Sequence, residues 1–131
     1  MKQPLGDEPA YLIGKARAQL DLGCGSEAVA TLEELRRRAP DLHSPDGRLL
    51  YARALDMAGR TDEALDQYAS AARTYPGPEP RVRQAQLLQR LGRREQARSI
   101  ADGVVRSLAR APAHVRANER EWISLARQLA R

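Results

Sequence analysis

The chain has 131 residues, no Phe, one Trp, four Tyr, a single Cys and a formal net charge of +5. That length is one domain's worth of core, and the lone Cys24 excludes an internal disulfide and any multi-cysteine zinc or iron–sulfur site. So few aromatic residues argue against a β-sandwich or barrel. They leave Leu, Ala, Ile and Val to build helices packed closely through small side chains.

The apolar positions follow a 3.6-residue period and predict seven helices. The first covers about 9–22, with Pro9 suited to its opening turn and Gly23 to its stop. The second covers about 26–39. Ser26 is placed as its N-cap, with Glu27 near its positive end and Arg36, Arg37 and Arg38 near its negative end, as the helix dipole favours. Pro40 stops it. After a turn at Leu42–Pro45 the third runs about 45–58 and ends at Gly59. Thr61 is placed as the cap of the fourth, about 62–74, which carries Asp62 and Glu63 in its first turn.

The stretch from Tyr75 through Pro76, Gly77, Pro78 and Glu79 to Pro80 is the most helix-hostile of the chain and reads as a connection between helix pairs. The fifth helix follows at about 79–91 and ends at Gly92, and the sixth runs about 94–110. A break at Ala111-Pro112-Ala113 precedes the seventh, about 114–130, where Val115, Trp122, Leu125 and Leu129 share one core-facing side.

One short pattern recurs three times. A Gly closes one amphipathic segment and an Ala follows five residues later in the next: Gly23 and Ala28, Gly59 and Ala64, Gly92 and Ala97. The steps between those alanines are 36 and 33 residues. Repetition at that period means stacked helix pairs, because one pair cannot bury its own apolar face. Small residues recur midway along the first helix of each pair, at Ala16, Ala52 and Ala85, where they allow the second helix to approach.

These positions resemble the tetratricopeptide repeat, a helix–turn–helix unit of about 34 residues. The small residue of the family's first helix matches Ala16, Ala52 and Ala85, and the early alanine of its second helix matches Ala28, Ala64 and Ala97. The large residue four later matches Leu32 and Tyr68, with Ala101 in the third copy; the closing proline matches Pro40 and Pro76, with Ala109 in the third. Leu12, Arg48 and Arg81 stand where the family has an aromatic. The resemblance implies an all-α, right-handed superhelix forming one domain over 1–131. Its repeats lie at about 9–42, 45–77 and 78–111, with a capping helix at 114–130. The tail from Pro112 to Ile123 is also similar to the ends of bacterial tetratricopeptide proteins, some of them membrane-anchored, so the chain reads as a soluble, cytoplasmic portion of such a protein.

Catalytic signatures are missing from the sequence. It has no phosphate-binding glycine loop, and His43 and His114 fall in separate turns without metal-ligand spacing. The carboxylates cluster at helix starts, where the dipole accounts for them. The expectation is a non-enzyme with no cofactor and no metal, acting as an interaction scaffold for a protein or peptide partner.

In the resembled family the first helix of each pair lines a concave groove. That implies Ile13, Arg17 and Leu20 from the first helix, Leu49, Arg53, Asp56 and Met57 from the third, and Val82, Arg83, Gln86 and Arg90 from the fifth. Arginine forks on an apolar floor suit carboxylates, so an acidic segment is the expected guest. The Lys/Asn/Arg carboxylate clamp of chaperone-binding members is not matched, since only Arg83 falls at such a place.

Two alternatives stand beside this. Residues 1–77 hold 10 basic and 12 acidic side chains, whereas 78–131 hold 12 and 5. That basic half can attract nucleic acid through Arg93, Arg94, Arg98, Arg106, Arg116 and Arg120, although stacking aromatics are nearly missing. Tyr11, Leu12 and Ile13 at the N-terminal edge lack a polar outer face, so further repeats or a second chain would cover them. The first residues lack the apolar core of a signal peptide.

Overall fold

The computed structural model describes residues 7–131; the start of the stretch read for a signal peptide, residues 1–6, lies outside them. The described residues form α1 (Asp7–Asp21), α2 (Gly25–Arg38), α3 (Pro45–Met57), α4 (Thr61–Ala72), α5 (Glu79–Arg90), α6 (Arg94–Ala109), α7 (Ala113–Asn118) and α8 (Arg120–Leu129), with no strand among them. The count is eight, not seven, because the last expected helix bends at Glu119, where φ is −104 and ψ is 16. Hydrogen bonding continues through the bend: Glu119 N–H donates to the Val115 carbonyl at 3.0 Å, and the Glu119 carbonyl accepts from Ile123 at 2.9 Å. The bend lets α7 stay against α6 while α8 lies against both α5 and α6.

The recurring Gly-x4-Ala pattern has a single geometric origin. Gly23, Gly59 and Gly92 have φ of 78, 80 and 81, the left-handed conformation that only glycine adopts without a Cβ penalty. Each donates to the carbonyl three residues back: Leu20 at 3.0 Å, Asp56 at 3.1 Å and Gln89 at 3.0 Å. The next residue, Cys24, Arg60 or Arg93, donates five residues back, to Gln19 at 2.8 Å, Leu55 at 2.9 Å and Leu88 at 2.9 Å. These are the two bonds of a Schellman stop. The carbonyl of that same residue then accepts the first bond of the following helix, from Ala28, Ala64 or Ala97. One residue thus ends one helix and begins the next, which fixes the five-residue step.

That economy displaces two expected caps. α2 begins at Gly25 with Cys24 at the cap position and no side-chain cap bond, so Ser26 lies inside the helix. α4 begins at Thr61 itself, whose hydroxyl donates to the Gly59 carbonyl at 3.5 Å. A true side-chain cap occurs at Ser44, whose oxygen accepts from Gly47 N–H at 3.0 Å, ahead of Pro45 in the first turn of α3.

Contacts divide the chain into two compact units, one up to Gln67 and one from Tyr68, with the division inside α4. In the first, α2 packs on both α1 and α3, which also touch each other. Leu12, Ala16 and Leu20 meet Ala28, Leu32 and Leu35 of α2 and Leu49, Leu50, Ala52 and Leu55 of α3 as its buried core. Close approach is strict at Gly25, where an added Cβ would lie 2.8 Å from the Ala58 nitrogen and 2.9 Å from the Met57 carbonyl carbon. In the second unit α5 pairs with α6 and α8 covers both. Val82, Ala85, Leu87 and Leu88 are buried there with Ala97, Ala101, Val104, Ala126 and Leu129. Trp122 is half-buried, less enclosed than its place on the apolar side of the last helix predicts.

Candidate protein-interaction surface

The residues expected to line a groove fall into three groups by exposure. Leu20, Leu49 and Val82 are 3%, 5% and 0% exposed and serve the packing beneath the surface. The resemblance that suggested them places a residue on a side of its helix, and a side does not fix depth. Ile13, Arg53, Asp56, Arg83 and Gln86 are half-buried, while Arg17, Met57 and Arg90 are exposed.

In the first unit these residues form two neighbouring stripes. α3 is the most enclosed helix: Leu49, Leu50, Tyr51, Ala52, Ala54 and Leu55 are all buried. Beyond its first turn the side chains it leaves open are Arg53, Asp56 and Met57, which share one side. Arg53 and Asp56 are both engaged in polar interactions. α1, which touches α3, presents Arg17, which like Arg53 directly follows the central alanine of its helix, and part of Ile13. Beside them, the buried Thr31 hydroxyl of α2 lies 2.7 Å from Gln19 Oε1 and 3.1 Å from the Glu27 carbonyl, tying α2 to α1 through a polar contact.

A second polar cluster joins α2, α3 and α4 and was not legible as a unit in the sequence. The Arg36 guanidinium stacks 4.0 Å from the Tyr51 ring centre, and its Nη2 donates to Gln67 Oε1 at 3.1 Å. The Tyr51 hydroxyl donates to Glu33 Oε2 at 3.2 Å. Burial, and after it the nearby Glu33 carboxylate, pushes the Tyr51 phenol above its ordinary pKa. Arg60 grips Glu63 with two bonds of 2.9 and 2.7 Å and comes within 4.0 Å of Glu33. The Arg60 guanidinium holds the Glu63 carboxyl below the usual carboxylate value. Arg38 pairs with Glu8 and, at 2.6 Å, with Glu34; bonding to Glu8 is the main cause raising its pKa. Two of the three arginines at the end of α2 are thus cross-links between elements in addition to dipole partners.

In the second unit Arg83 is committed locally. Its Nε donates to Glu79 Oε2 at 2.7 Å, and its guanidinium lies 5.2 Å from the Trp122 ring centre. The tryptophan of the last helix therefore meets an arginine of α5, a contact between segments 39 residues apart in sequence that no local pattern signals. Gln86 and Arg90 continue the same side of α5.

Among the described residues no group of three or more His, Cys, Asp or Glu could hold a metal ion. No helix among them is long and apolar enough to cross a membrane. His43 and His114 are both exposed.

Comparison with known proteins follows the helix pairs. None of the curated proteins matches this chain. Among solved structures, the crystal structure of PcrH in complex with the chaperone-binding region of PopB superposes with a TM-score of 0.77 at 19% identity, covering 94% of each chain. A MamA RS-1 double mutant gives 0.66 at 20% identity, covering 96% of this chain and 67% of that one. At such identities the likeness establishes the fold, an all-helical array of tetratricopeptide type. Two tetratricopeptide repeat family patterns match the sequence itself, one at residues 27–87 and one at 78–102. With those matches spanning more than half of the sequence and three Gly-x4-Ala turns in register, the chain belongs to the tetratricopeptide repeat family.

Proposed function

We propose that the protein is a non-catalytic interaction scaffold that holds a segment of a partner protein against the first helices of its pairs. The observation that carries this is α3, enclosed beyond its first turn except for the stripe bearing Arg53, Asp56 and Met57, beside Arg17 and Ile13 of α1. On that side an arginine, an aspartate and a methionine lie together, offering both polar and apolar contacts. Met57 is 46% exposed and offers an adaptable apolar contact, while Arg17 and Arg53 favour an acidic guest. PcrH, of the same fold, was solved with the chaperone-binding region of PopB, which supports a protein segment as the guest.

Affinity capture with mass spectrometry identifies the partner, and calorimetric titration of its binding segment against the Arg17→Glu, Arg53→Glu double variant tests the surface. The reading expects a loss of about tenfold or more in affinity for the double variant. Unchanged affinity removes this face as the site.

A second reading rests on Tyr11 of α1 and Leu22, which directly follows that helix; they are 62% and 79% exposed. Self-association there would cover both. Light scattering that gives a monomer mass at all concentrations dismisses it.

A further inference from the structure

The last two helices carry a surface that the reading above does not use. Arg116 of α7, Arg120 and Arg127 of α8, and Arg131 line one open groove of about 520 Å³, with Ile123 among them and no acidic side chain in the lining. All four arginines are exposed, and none forms an ion pair among the described residues. Arg116 makes one weak bond, from Nη1 to the Ala109 carbonyl at 3.4 Å. Glu121 lines the neighbouring concavity, to which Arg120 also contributes.

Helix electrostatics explains only half of this set. Arg127 and Arg131 lie at the negative end of α8, where cations are favoured. Arg120 is the first residue of α8, at its positive end, where the dipole opposes a cation. Four like charges in one groove also repel one another, so the arrangement costs stability unless an anion is bound.

We infer that the groove of Arg116, Arg120, Arg127 and Arg131 docks an acidic helical segment of a partner protein, with an apolar side chain of that segment set against Ile123. The spacing supports the choice. Positions 120, 123 and 127 advance by three or four residues along one side of α8, and Arg116 and Arg131 flank them in the same groove, so a partner helix with carboxylates at matching steps meets them together. Guanidinium forks take carboxylates two bonds at a time. Nucleic acid is disfavoured because no aromatic ring lines the groove for base stacking, and Trp122 sits against Arg83 instead. This surface stands independently of the α1–α3 face.

The probe is a fluorescein-labelled synthetic helix with Glu at i, i+4, i+11 and i+15 and Leu at i+7, followed by anisotropy at low salt. Its controls are the same composition in scrambled order and an oligothymidylate of equal charge. The matched helix is expected to bind about tenfold tighter than either control. The Arg120→Glu, Arg127→Glu variant should weaken it by about tenfold or more with an unchanged helical circular dichroism spectrum. Arg120→Gln, Arg127→Gln should weaken it less, and Arg17→Glu, Arg53→Glu not at all, which separates failure of this surface from failure of the other. Equal binding of the matched and scrambled helices overturns the proposal. So does absence of binding, or an oligothymidylate affinity equal to or above the peptide's.

Discussion

In the first unit arginine is mostly a fastener. Arg36 stacks on Tyr51 and bonds Gln67, Arg38 joins Glu8 and Glu34, and Arg60 holds Glu63 near Glu33. In the second, Arg83 and Arg106 pair with Glu79 and Asp102 at 2.7 and 3.3 Å, while the four arginines around α8 face solvent with no acidic side chain in their groove. The same side chain cross-links helices where acidic neighbours come within reach and is left facing solvent where they do not. Net charge by halves, which sequence counting gives, separates the two uses only coarsely.

The units also differ in how they fill equivalent places, and this gives the largest expected effect. Four residues after the turn alanine stand Leu32, 1% exposed, in the first unit and Ala101, 0% exposed, in the second. Leu32→Ala should cost about 2–5 kcal/mol by urea unfolding, because it leaves a cavity. Ala101→Leu should cost about 1–3 kcal/mol for the opposite reason, overpacking. A negligible change in either would show that the place is not closely packed.

Next in size is the helix crossing. Gly25→Ala places a Cβ against the backbone of Met57 and Ala58 and should cost about 1–3 kcal/mol, whereas Arg94→Ala, at the equivalent and exposed place, should leave stability unchanged. Removing the cap with Ser44→Ala should cost about 1 kcal/mol in the thermal midpoint analysis.

The smallest effect is electrostatic. Arg60 holds the Glu63 carboxyl below its ordinary value of 4.5, so the pair's contribution is present above that pH and is lost as pH falls through the lower, folded value. Arg60→Gln should flatten the acid side of the stability profile slightly, by less than the Ser44 change, and added salt should mask it. A profile unchanged at low salt would show the exposed pair to be energetically silent.

The fold was legible because its signals are local. Glycine stops, turn alanines and a 3.6-residue period each act within a few residues, so the helix pairs could be placed from spacing alone. Local caps were less so: Ser26 and Thr61 looked like N-caps, yet the Schellman turn assigns that place to Cys24 and Arg60, while Ser44 caps α3 unannounced. The bend at Glu119 has no glycine or proline to mark it and follows from the packing of α7 and α8. Of the expected groove residues, which the resemblance supplied, Leu20, Leu49 and Val82 lie in the core, a depth that position in a repeat does not reveal. The Arg83–Trp122 contact and the groove around α8 depend on tertiary arrangement, which single-sequence patterns do not carry.

The central claim is that a partner segment rests on the first helices of the pairs. Site-specific photo-crosslinking with the captured partner addresses it directly, using a photoreactive amino acid at Arg17 or Met57 and, for comparison, at the exposed Arg37 of α2. The account predicts adducts from Arg17 and Met57 and none from Arg37. Adducts from Arg37 alone would contradict it.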